Sequence, residues 1–198
     1  MLMDDFGDGD AAARLWAAWS ADPARSTRLD ILAIAGAPLQ PGGFSRACAR
    51  LGLSSPRAWP PSTPDLHTLS LAEGRVNLFL ACGERRAAWR ELVGQVDAFL
   101  LASSEIDAVA LPKAMARLAA SEATVTTIGE PPQELRHALR ARGFELLPSG
   151  QPFACYRPRF TPSRMPLHGA GGVRAPGRAL VIGAGLAGAA TAAATRSA

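Results

Sequence analysis

The chain has 198 residues, a formal net charge of +4, a hydrophobic fraction of 48% and a charged fraction of 19%. That length builds one domain with a real core, and the apolar content with no like-charge block excludes wholesale disorder. The basic charge is almost all arginine, with Lys113 the only lysine, and it is scattered along the sequence. Charge alone therefore does not establish a polyanionic partner. Cys48, Cys82 and Cys155 have no metal-ligand spacing and leave one thiol over in any disulfide scheme, which points to a reducing cytoplasm and no metal. The start, Met1 to Asp5, is acidic where an export signal is basic and then apolar. The uncharged run 179–194 is too short and too rich in Gly and Ala for a membrane span, so no membrane role is expected.

In chain order, the Gly-containing turn Phe6-Gly7-Asp8-Gly9 leads to a helix over 11–20, with Leu15, Trp16 and Trp19 at helical spacing and Asp10 at the N-cap position. Residues 28–35 and 75–82 are apolar, β-rich runs and read as buried strands. Between them, 38–64 reads as an irregular connection holding one short helix over 45–51. A helix over 84–94 and a strand over 96–101 come next, then a helix near 111–120, a strand at 123–128 and a helix at 132–142. Two extended runs, 144–147 and 152–157, flank Pro148-Ser149-Gly150 and read as a hairpin. Alternating strands and helices closed by a hairpin predict an α/β fold with a Rossmann-like, mostly parallel sheet and an antiparallel C-terminal edge.

From 158 to 178 the composition turns to Pro, Gly, Arg and Ser, a linker. After it, Ala179 to Ile182 reads as a strand followed by Gly183-Ala184-Gly185-Leu186-Ala187-Gly188. In such a fingerprint the first glycine makes the tight turn, the second admits a pyrophosphate and the third lets helix and strand pack closely. The acidic residue that completes it lies about 20 positions further on, and the sequence stops at Ala198. The expectation is a dinucleotide-fold start that needs a completing partner to bind NAD or FAD.

Other motifs have two readings each. Gly7 and Gly9 let a loop pass close to a nucleoside or amino-acid moiety, or make an ordinary turn with a helix cap. Glu84, after the strand that ends at Cys82-Gly83, can contact an adenine or be the first-turn acid of the next helix. Ser103-Ser104-Glu105 lacks the glycines of a nucleophile elbow and reads as a helix cap. His137 reads as a solvated residue of a polar-faced helix, and the tryptophans Trp16, Trp19 and Trp89 as core or semi-core.

The segments LSLAEGRVNLFLACGE (69–84), VDAFLL (96–101), AMARLAASEATVTT (114–127), ELRHALRARGFEL (134–146) and ALVIGAGLAGAA (179–190), in that order, resemble the bifunctional tRNA wobble-uridine modification family MnmC. The resemblance implies an N-terminally truncated S-adenosylmethionine-dependent methyltransferase-like domain over 1–157, a linker over 158–178, and the start of an FAD-dependent oxidoreductase domain over 179–198. It implies methylation of 5-aminomethyl-2-thiouridine in tRNA, with Gly7, Gly9 and Glu84 toward S-adenosylmethionine and Gly183, Gly185 and Gly188 toward FAD. The sequence also departs from the family pattern. Of the family's first loop only Phe6, Gly7 and Gly9 match; Ile34-Ala35-Gly36 stands where an acid holds the cofactor ribose; Ala102-Ser103-Ser104 stands where an Asp lies at the transfer site. The alternative expectation is thus a catalytically inactive remnant, at most a tRNA-binding module.

Overall fold

The structure, a computed structural model, describes residues 1–36, 41–56, 59, 63–101, 107–148, 150 and 152–159. Among them the order is β1 (Leu2–Met3), α1 (Asp10–Ala21), β2 (Leu29–Ala35), α2 (Pro41–Arg50), β3 (Asp65–Leu71), a single 3₁₀ turn, β4 (Val76–Cys82), α3 (Arg85–Glu91), β5 (Val96–Leu101), α4 (Ala110–Leu118), β6 (Ala119–Thr127), α5 (Gln133–Arg140), β7 (Phe144–Leu146) and β8 (Ala154–Tyr156). All eight strands form one sheet in the order β3-β4-β2-β1-β5-β6-β8-β7.

The five strands β4, β2, β1, β5 and β6 are parallel, and β8 and β7 close one edge as the antiparallel hairpin the sequence predicts. The other edge is also antiparallel: β3 pairs with β4 along its whole length, from Asp65 opposite Cys82 to Leu71 opposite Val76. That strand is absent from the sequence expectation, which ends the irregular connection at Pro64 and assigns no element to 65–71.

Alternation along the buried strands feeds two cores, one on each face. Met3, Ile31, Ala33, Leu78 and Leu80 pack on Trp16, Ala12 and Phe44 of α1, α2 and their approaches. Leu2, Ile34, Phe99, Leu101 and Val125 pack on Trp89, Leu111, Met115, Leu135 and Leu139 of α3, α4 and α5. The result is a three-layer sandwich. Although β1 has only two residues, it is the central strand: Leu2 and Met3 are fully buried and pair with Leu32 and Ala33 on one side and Phe99 and Leu100 on the other.

Several element boundaries differ from expectation: α2 begins at Pro41, four residues before the expected 45, α3 ends at Glu91 rather than 94, and two further cases carry a physical reason. Asp10 is not the N-cap of α1; Gly9 is, in a left-handed conformation (φ 84°). Asp10 lies one residue inside, where its carboxylate meets Arg14 of its own helix and Arg50 of α2, both at 2.6 Å, and ties the two helices together. β6 begins at Ala119, four residues before the predicted strand, and its register against β5 shifts between Val96 and Ala98. Glu122 lies within that early part with φ 63°, an irregularity that apolar patterning does not announce.

Candidate functional site

Chain reversal sets the site. From β1 the chain moves outward through β2 to β4, then crosses back by α3 to β5 on the other side of β1. In an open α/β sheet such a switch leaves a crevice at the carboxyl ends of the strands. A cavity of about 810 Å³ lies there, within the ~300–1,000 Å³ typical of small-molecule sites.

Each wall comes from the residue that follows a strand or opens a helix. Asp4 and Asp5 follow β1, Gly36 follows β2, and Glu84 follows the turn after β4; the far wall is Arg85, Arg86, Trp89 and Arg90 of α3 with Asp107, Leu111 and Ala114 at and within α4. Asp4 is 2% exposed, one of two buried polar side chains among the described residues. Arg85 lies 3.7 Å from Asp5, and Arg86 lies 3.8 Å from Asp107 across the mouth. The lining is therefore mixed in charge, with Asp4, Asp5 and Glu84 at the strand ends and Arg85, Arg86 and Arg90 together with Asp107 on the helix side. The buried Trp89 contributes an aromatic surface.

Glu84 is the N-cap of α3, one residue before the first turn in which the sequence reading placed it, and it still faces the cavity. Its Oε1 accepts from the Arg86 N–H at 2.8 Å and its Oε2 from the Ala87 N–H at 2.7 Å, capping α3. Those two backbone bonds hold its carboxyl below the ordinary carboxylate value. Each oxygen keeps a second lone pair for a ligand donor. Asp107 repeats the device at α4: its Oδ1 accepts from the Ala110 and Val109 N–H groups, and these bonds lower its pKa too. Cys82, the last residue of β4, has its thiol pKa pushed up by burial and is a poor nucleophile or ligand.

The two glycines expected at the cofactor occupy different surroundings from Glu84. Neither lines the cavity wall. Gly7 (φ 55°) sits in open space, its N–H donating to Asp5 Oδ1 at 3.0 Å. Gly9 (φ 84°) is packed on Phe44 and Phe6, so tightly that a Cβ would lie 2.8 Å from both. The loop they build carries Asp4 and Asp5 to the cavity. Those aspartates, and the cationic α3 wall, are not singled out by the sequence reading, because only the sheet order makes β1 the central strand and sets α3 beside it. Gly183, Gly185 and Gly188, the linker, and Ser103-Ser104-Glu105 lie outside the described residues. Among the described residues, no group of three or more His, Cys, Asp or Glu is placed to hold a metal ion, and no helix is long and apolar enough to cross a membrane.

No protein-family model matches the chain. Curated relatives do. The chain is 35% identical, over 92% of its length, to the tRNA 5-methylaminomethyl-2-thiouridine biosynthesis bifunctional protein MnmC of Burkholderia cenocepacia. It is 35% identical over 97% to the protein of that name from Methylibium petroleiphilum, and 34% identical over 97% to that from Aromatoleum aromaticum. The resemblance read from the sequence thus extends over nearly the whole chain. The chain in turn spans 30–32% of the length of these relatives.

Proposed function

We propose, from kinship to the MnmC proteins, that this chain binds S-adenosylmethionine in the cavity at the carboxyl ends of β1, β2 and β4 and serves the methylation step in tRNA 5-methylaminomethyl-2-thiouridine biosynthesis. The observation that carries this reading is the cavity itself, where Asp4, Asp5 and Glu84 converge at the topological switch point. The ligand has hydroxyls, an ammonium and a sulfonium to be met by carboxylates, and a carboxylate to be met by guanidiniums. The two-sided charge of the lining fits that pattern, and the volume suffices.

Bound there, S-adenosylmethionine supplies a methyl group as an electrophile. The chain's own residues bind and orient. Since β2 ends in Ala35-Gly36 with no acid, ribose hydroxyls fall to the spare lone pairs of Glu84 and to Asp5 rather than to the second strand. The α3 arginines face the amino-acid end, and the buried Trp89 narrows the cavity and keeps water from one side. Positioning of this kind supplies much of the rate in a displacement between two bound partners.

We read 158–178 as a linker and 179–198, with Gly183, Gly185 and Gly188, as the opening of an FAD-binding unit. A second reading, RNA binding without methyl transfer, is favoured by one observation: β2 carries no carboxylate at its end. Incubation with methyl-labelled S-adenosylmethionine and tRNA bearing 5-aminomethyl-2-thiouridine separates the two. Label in the tRNA supports methylation; tRNA binding without label supports the second reading.

A further inference from the structure

A second concavity, of about 660 Å³, lies at α5 and holds nothing that the cavity at β1 requires. Its lining includes Arg136, His137 and Arg140 of α5, Gln133 at the start of that helix, Glu130 before it and Leu146 at the end of β7. Positions 136, 137 and 140 share one helix face because they are separated by three and four residues. Arg140 and His137 are exposed and have no ion-pair partner among the described residues. Arg136 pairs with Glu130 at 3.5 Å, but that glutamate is 89% exposed. Such a pair is weak and screened, and it yields readily to a stronger anion.

The groove also has the right place. It opens where β6 ends, and β6 runs parallel to β5 and β1. It is therefore on the same edge of the sheet as the cavity, reaching from β6, two strands from β1, to β7, four strands away, or about 10–20 Å at the usual strand spacing. A chain of phosphates crossing that edge meets the guanidiniums of α5 and then the mouth of the cavity.

We infer that the Arg136–His137–Arg140 groove is a phosphate-backbone site for RNA, which holds the strand flanking the nucleotide presented to the cavity. The inference rests on the reading that tRNA is the substrate. Guanidiniums suit the role because they bind phosphate oxygens in pairs and stay charged.

The test is fluorescence anisotropy of a labelled tRNA transcript titrated with the full chain at several potassium chloride concentrations. Arg136→Ala/Arg140→Ala is compared with Arg28→Ala/Arg75→Ala, which removes the same charge from exposed positions at the opposite edge of the sheet, before β2 and β4. The groove variant is expected to bind about tenfold more weakly near ~0.1 M salt, with a salt slope shallower by about 1.4–1.8, while the opposite-edge variant stays within about twofold. Equal weakening of both variants, no weakening of either, or no RNA binding by the unaltered chain overturns the groove. Calorimetric titration of the same proteins with S-adenosylhomocysteine reports on the cavity separately. Retained heat with unaltered RNA binding in the groove variant overturns the groove and leaves the cofactor reading intact. Lost heat in the unaltered chain with RNA binding weakened only in the groove variant supports the groove and removes the cofactor.

Discussion

Gly9 and Phe44 are in contact so close that a single methyl group at Gly9 would lie 2.8 Å from the Phe44 Cβ. The glycine of the first loop is therefore fixed by packing in the core, whatever it does toward a ligand. Phe6 and Phe44 pack on it and both meet Trp59, with the three ring centroids 5.7–6.1 Å apart.

Gly9→Ala should destabilise the fold by about 2–4 kcal/mol, since it adds left-handed strain to an overpacked contact. Gly7→Ala, at φ 55° with nothing near it, should cost about 1 kcal/mol, from strain alone. Urea unfolding of the two variants checks the contrast; equal losses would contradict it.

Acid should weaken the fold through its two cap carboxylates. Glu84 and Asp107 have folded-state pKa values below the ordinary 4.5 and 3.8, because backbone N–H groups hold their charged forms. For a depressed carboxylate the stabilisation is full above the unfolded value and is lost as pH falls through the folded value. Melting temperature should therefore drop as pH falls below about 4.5, and Glu84→Gln, which keeps one acceptor, should flatten that drop. A variant profile parallel to that of the unaltered protein would remove Glu84 from the account.

Arg117 of α4 donates to the carbonyls of Trp89 at 2.7 Å and of Leu92, closing the C-terminal end of α3. Replacement by Ala should cost on the order of 1–2 kcal/mol and loosen the cavity wall. Hydrogen exchange read by mass spectrometry should quicken in 85–92 and stay unchanged in β2.

Leu2→Ala tests the two-residue central strand. Leu2 is fully buried, so the substitution should cost about 2–5 kcal/mol, as in any well-packed core. A loss below about 1 kcal/mol, read by urea unfolding, would mean that β1 is not integral to the sheet.

The buried strands were legible because both of their faces are apolar: LDILAIA and VDAFLL need no alternation to be recognised. β3 was not. It is an edge strand, with Asp65, Leu66, Thr68 and Ser70 exposed, so its sequence reads as a polar connection. Its turn into β4 also places Ala72 and Glu73 at positive φ (49° and 59°) ahead of Gly74 (83°), so two of its three left-handed positions carry residues that do not announce a reversal. At the site, Glu84 could be found because it follows a strand by a single glycine, Gly83. Asp4 and Asp5 could not, since their role comes from the topology that puts a two-residue strand at the centre of eight. The arginines of α3 stand close together at 85, 86 and 90, but only the cross-over from β4 to β5 sets that helix against the cavity.

The central claim is that this cavity cradles S-adenosylmethionine, and isothermal titration of the folded chain with S-adenosylhomocysteine tests it most directly. The account predicts saturable, one-to-one heat with a micromolar Kd that weakens at least tenfold in Asp5→Ala, whose side chain is half-exposed at the cavity and not part of the core. No heat from a chain shown to be folded, or heat indifferent to Asp5, would contradict it.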